Sequence, residues 1–346
     1  MKRKDFLKKG LASGAFIGTS LLASGITPEE GDQKKPAKDK KQQKPAEEAV
    51  RKVQGDPEEM VIEREVSGKP HQGKVLLAIQ AHSDDIPLFA GGLVSKLLNE
   101  GYKGYLLRTS DDSSGDYEGN TKDNADIAKY WGMGKAYDFF YKHHQMDAIQ
   151  IQDLKARLIF LFRLLKVDTI ITWDPWEHYE ENPDHIATAH AVEAARWMAG
   201  MGTDYPEHLD AGLEPHSPNE VYYFARTPQR ANRIVEITNY IDDKVKVNML
   251  NVTKGPAGKG KGLALKQRLA SEGKKLALLG DDDKMADFNY IKHFVFDIDS
   301  RRLNFSNISN KELGEQYGLE WAERFHYIGP AENLLDKYIK EQAIQK

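Results

Sequence analysis

The chain has 346 residues, 40% of them hydrophobic and 29% charged, with 28 glycines, no cysteine and a formal net charge of −4. There is enough apolar sequence for one large core, and without cysteine there is no disulfide framework, thiol chemistry or thioether lipid anchor. A slightly acidic balance, with lysine and arginine scattered, gives no reason to expect nucleic acid or an anionic membrane surface as a partner.

The N-terminus carries Lys2, Arg3, Lys4, Lys8 and Lys9, and then Gly10 to Ile26 is uncharged. Residues 1–26 read as an export signal with a cleavage region at Leu22-Ala23-Ser24-Gly25, and Arg3 to Lys8 resembles a twin-arginine motif with Lys for one Arg. The expected destination is periplasmic or extracellular. About 17 uncharged residues is the lower limit for a membrane span, and their Gly, Ser and Thr content argues against one, so no stable span is expected in the mature chain. Residues 27–56 are low-complexity Lys, Gln, Glu, Pro and Ala, which predicts a solvated tether. Residues 57–346 are read as a single α/β domain, with an unassigned extension from about residue 250.

Within that domain, strands are predicted at Val75 to Ile79, Tyr105 to Arg108, Tyr137 to Phe140, Thr169 to Ile171 and Val221 to Phe224. Helices fall between them: Gly92 to Asn99, Asp123 to Trp131, Leu154 to Leu165, and one opened by Asn182-Pro183 that ends near Gly200. This alternation predicts a Rossmann-like, mostly parallel sheet with helices on both faces. The run Gly255 to Gly262 lacks the ending of a phosphate loop and reads as a mobile surface segment.

Two corners concentrate chemistry: Ala81-His82-Ser83-Asp84-Asp85 after the first strand, and Asn182-Pro183-Asp184-His185 after the fourth. In an α/β sheet such corners are where ligands bind. His82 and Asp85 are three apart and point the same way if the loop turns helically, which leaves Asp84 beside them as a free base. A catalytic zinc takes three protein ligands, so a third must come from elsewhere, and His185 in the first helical turn is the best candidate. Taken singly, each histidine could be a buried, hydrogen-bonded side chain and each aspartate a cap; their joint occurrence favours a metal site.

The Ala81 to Asp85 segment, followed by Gly91-Gly92, resembles the A-H-P-D-D-E and Gly-rich signature of the PIG-L/LmbE deacetylases. Pro183-Asp184-His185 resembles their second motif, H-P-D-H, with Asp174-Pro175-Trp176 and Tyr179 similar to its lead-in. The resemblance is good over roughly residues 74–200; beyond that only Tyr317 to Phe325 is similar. It implies that His82, Asp85 and His185 bind zinc (Zn2+), that Asp84 is the general base, and that an N-acetyl group is removed from an amino-sugar substrate.

The chain departs from that pattern at three positions. Ser83 stands for Pro and Ile86 for Glu, and neither position is a metal ligand in the family. Asn182 stands for the first His of the second motif, and an amide can donate a hydrogen bond to an oxyanion but cannot deliver a proton. His178 is the nearest titratable candidate for that role. Its loop, with Trp176 and Tyr179, suits the rim of a polar pocket. Asp111, Asp147 and Tyr179 are the candidate substrate contacts, Asp111 or Asp112 being carried by a turn after the second strand. The function expected is zinc-dependent deacetylation. The alternatives are an exported carbohydrate-binding relative that keeps the metal without turnover and, more distantly, a phosphate-ester hydrolase using Mg2+, against which two histidine ligands speak.

Overall fold

The computed structural model describes residues 60–112, 117–299, 308–330 and 333–344. The expected export signal at 1–26 and the tether at 27–56 lie outside the described residues. The strands are β1 (Val61–Glu63), β2 (Val75–Gln80), β3 (Lys103–Ser110), β4 (Ala136–Tyr141), β5 (Thr169–Trp173), β6 (Glu220–Phe224), β7 (Arg233–Glu236) and β8 (Ala322–Ile328). The α-helices are α1 (Asp85–Asn99), α2 (Tyr117–Tyr130), α3 (Ile151–Leu165), α4 (Pro183–Met198), α5 (Pro206–Asp210), α6 (Ile241–Asn248), α7 (Lys261–Ser271), α8 (Ala286–Tyr290), α9 (Asn310–Gln316) and α10 (Leu334–Gln342).

The strands form one sheet in the order β1-β7-β8-β6-β5-β2-β3-β4, parallel throughout except for β8, which runs antiparallel to β6 and β7. Strand periodicity divides the core. Leu76, Ala78, Ile171 and Trp173 face the layer of α1, α2 and α6, whereas Leu77, Ile79 and Ile170 face the layer of α3 and α4. Strands buried on both faces favour apolar residues on both, which is why β2 and β5 read as near-continuous apolar runs.

Three strands escape the sequence pattern. β1 and β7 have only three and four residues, and β8 carries Glu323, Arg324 and His326. Glu323 is nevertheless fully buried: it pairs with Lys244 of α6 at 2.6 Å and accepts from the N–H groups of Gly92 and Leu93 at 2.9 and 2.8 Å. The stretch beyond residue 250 thus supplies a strand between β6 and β7. α1 starts at Asp85, seven residues before the predicted Gly92. Gly92 marks a close approach instead, since a Cβ there would stand 2.5 Å from Ile237.

The chain runs outward from β2 through β3 to β4 and then returns to place β5 on the other side of β2. Both corners therefore open side by side at the carboxyl edge, where a doubly wound sheet reverses direction.

Candidate active site

Three ligand-type atoms converge at this edge. His82 Nδ1 lies 3.0 Å from His185 Nε2, and Asp85 Oδ1 is 3.7 and 3.5 Å from those two nitrogens. All three residues are buried and form a group able to hold one metal ion. Two imidazole nitrogens and one carboxylate oxygen suit zinc better than a hard cation, which prefers all-oxygen ligands.

Each of the three is oriented by groups behind it. Asp85 Oδ2 accepts from the N–H of Ala81, the N–H of His82 and Nε1–H of Trp173, each at 2.9 Å, so only Oδ1 is turned to the cluster. Asp184 Oδ2 is 3.1 Å from His82 Nε2 and also takes the His144 N–H at 2.8 Å, while Oδ1 takes the Met146 N–H at 3.2 Å. Glu180 Oε1 lies 3.3 Å from His185 Nδ1, and its carboxylate is gripped by Arg226 at 2.9 and 2.7 Å. Carboxylates behind ligating histidines fix ring orientation and raise basicity. Burial opposes ionisation of Glu180, but His185 and Arg226 prevail and hold its carboxyl down at about 2. Asp85 is likewise held well below the usual range by His185 and His82 against its burial.

Asp84 precedes α1 with its side chain outside that ligand set. Burial, with the charges of Asp85 and Asp112 added, raises its pKa to about 6, a value suited to a base working near neutrality.

The remaining sequence candidates are placed differently. Asn182 caps α4, its side-chain oxygen accepting the Asp184 N–H at 2.9 Å, so the local structure uses it as a helix cap. His178 and Tyr179 are exposed, Tyr179 at 88% and with left-handed backbone (φ 66°); neither belongs to the buried cluster. Asp147 is exposed in a short 3-10 turn. Asp111 Oδ1 accepts the His143 N–H at 3.0 Å, and Asp112 is the turn residue that reaches the first corner, taking Ser83 N–H and Oγ–H, both at 2.9 Å.

The segment predicted as mobile surface, Gly255 to Gly262, begins at the site, and the residues just before it are anchored there. Asp123 Oδ2 accepts from the N–H groups of Val252 and Thr253, both at 2.9 Å, and from Thr253 Oγ1 at 2.7 Å. A Cβ on Gly255 (φ +85°) would lie 3.0 Å from Asp84 Oδ2, so Gly255 roofs the base, and Lys254 pairs with Asp112. Its glycine and lysine composition suggested solvent because its partners lie far away in sequence. His143 and His144 also went unread; two histidines directly after a predicted strand were the available signal.

A parallel α/β sheet bearing a buried two-histidine, one-aspartate cluster and a neighbouring carboxylate at its carboxyl edge defines a metal-dependent hydrolase. Residues 77–196 match the PIG-L family, described as GlcNAc-PI de-N-acetylase. Among its relatives is the diacetylchitobiose deacetylase of Thermococcus kodakarensis, 24% identical over 184 residues, covering 50% of this chain and 67% of the relative. Among solved structures, N,N'-diacetylchitobiose deacetylase from Pyrococcus horikoshii shares the fold with a TM-score of 0.55 at 19% identity, covering 76% of this chain and 88% of that one.

Proposed function

We propose that this chain is a zinc-dependent deacetylase that removes the N-acetyl group from an amino sugar or sugar conjugate. The observation that carries this reading is the division of labour at Asp85. One oxygen is consumed by three donors and the other is left with His82 Nδ1 and His185 Nε2, while Asp84 stands apart under Gly255. His82, Asp85 and His185 would hold the ion, which when bound lowers the pKa of water and polarises a carbonyl. Asp84 takes the proton from the attacking water and is available to return it as the C–N bond breaks. The presence of this base favours turnover over a binding protein that only keeps the metal. The deacetylase relatives point to the same chemistry.

The test is acetate release from N-acetylhexosamines and chitooligosaccharides by the chain as purified, after chelation, and after zinc restoration. Release that disappears with chelation and returns with zinc is expected; release indifferent to chelation would overturn the metal assignment. On the same footing we infer export, supported by the basic and then uncharged N-terminal segment; recovery of the chain only from the cytoplasmic fraction would overturn it.

A further inference from the structure

The helix α10 is exposed along its whole length, from its cap Asn333 to Ile344. Its pattern nevertheless suits a covered surface. Leu334, Leu335, Tyr338 and Ile339 fall on one face and are between 49% and 69% exposed. Around the helix, Glu341 borders that face on the Leu334 side and Asp336 on the Ile339 side, while Lys337 and Lys340 lie opposite. The Asn333 side chain caps the helix by accepting from the N–H groups of Leu335 and Asp336 at 3.1 and 3.2 Å. A helix of nine residues is marginal in water even when capped, and a packing partner is what normally sustains one.

The same chain carries an open groove of matching character, about 430 Å³ in volume. One face of α7 presents Lys261, Leu265 and Arg268 to it. The segments after α7 add Leu276, Leu278, Tyr290 and Phe294, of which Tyr290 and Phe294 stack with ring centroids 5.4 Å apart. Lys261 and Arg268 are exposed and have no ion pair among the described residues, whereas Lys266 and Lys275 nearby are paired with Asp283 and Asp281. An apolar groove edged by unpaired cations thus complements an apolar helix face edged by carboxylates.

Within one copy the two halves stay apart, the helix exposed and the groove open. Two copies related by a two-fold axis satisfy both at once, since surfaces that complement each other on one chain close as a dimer. We propose that α10 of one copy lays its Leu334, Leu335, Tyr338 and Ile339 face in the α7 groove of a second copy, and that the exchange is reciprocal. The apolar contact supplies the affinity, and the carboxylates meeting Lys261 and Arg268 set the orientation.

Sedimentation of the chain as purified, from roughly 1 to 100 μM, is compared with that of Tyr338→Glu, Leu276→Glu and Arg268→Glu, all changed at exposed positions. Wild type is expected to be a dimer. Tyr338→Glu in the helix and Leu276→Glu in the groove each raise the dissociation constant about tenfold or more. Arg268→Glu raises it less and flattens its dependence on salt. A mixture of Tyr338→Glu and Leu276→Glu forms a heterodimer where neither variant self-associates, because the intact helix of one meets the intact groove of the other. Wild type that stays monomeric, a dimer indifferent to both substitutions, or a mixture that associates no better than its components overturns the proposal. A monomer in which Tyr338→Glu speeds hydrogen exchange around Leu276 places α10 in its own groove, and one that floats with anionic vesicles unless Tyr338 is replaced makes the helix a membrane-surface element; either result overturns the second copy as occupant.

Discussion

The Nε1–H of Trp173 donates to Asp85 Oδ2 at 2.9 Å. The same indole lies against the His185 ring with centroids 3.8 Å apart, so the last residue of β5 braces two members of the cluster at once. Trp173→Phe keeps an aromatic ring and removes the donor, freeing Asp85 to rotate. Metal affinity should fall about 10- to 100-fold, measured by competition with a chelator of known strength. An unchanged affinity would show that the two backbone donors suffice.

Asp84→Asn removes the base and leaves all three ligand-type atoms in place. Metal content should be retained while turnover drops about 10²- to 10⁴-fold. An unaltered rate would refute the role given to Asp84.

Gly92→Ala forces a methyl group into Ile237, whose Cγ2 stands 2.5 Å from the Cβ position. Overpacking of this kind costs about 1–3 kcal/mol. The expected reading is a lower denaturant midpoint with unchanged activity per folded molecule, because the clash lies between α1 and the residue after β7, away from the corners.

Glu177 supplies a pH dependence. Its Oε2 accepts from Thr227 N–H at 3.2 Å and Oγ1 at 2.8 Å, yet burial, with the nearby Glu180 charge adding, raises the carboxyl from 4.5 to about 7. Between those values the folded chain binds more protons than the unfolded one, so this contribution to stability is complete in acid and is lost as pH rises through about 7. The loss is on the order of 1–3 kcal/mol. Glu177→Gln cannot ionise, and its stability relative to wild type should be higher at pH 8 and equal at pH 4 in urea titrations. Equal stability at both pH values would contradict the raised pKa.

What the sequence reveals and conceals follows from the range of each interaction. β2 and β5 were legible because burial on both faces makes them mostly apolar, and the corners after them because ligand-type residues sit within a few positions of one another. β8 was hidden because Glu323 is tolerated inside through Lys244, 79 residues away, and through the N–H groups of Gly92 and Leu93, further off still. The Gly255 to Gly262 segment was misread for the same reason, since the residues leading into it, Val252 and Thr253, are held by Asp123 from about 130 positions upstream and Gly255 lies against Asp84. Asn182 was legible as the residue that opens α4, and its side-chain oxygen accepts the Asp184 N–H there. Local pattern shows which residues are available, and only the closed fold shows which of them are already occupied.

The placement of β8 also orders assembly. β7 and β8 pair directly, β8 and β6 pair directly, and β1 joins only through β7. A chain growing on a ribosome can bring β2 to β6 together early. The two strands beyond β6, however, have no neighbour to bridge them to the rest until residues 322–328 have emerged. Until then β6 presents a bare edge open to intermolecular pairing, so the nascent protein is most vulnerable to aggregation in the interval between the synthesis of β6 and that of β8.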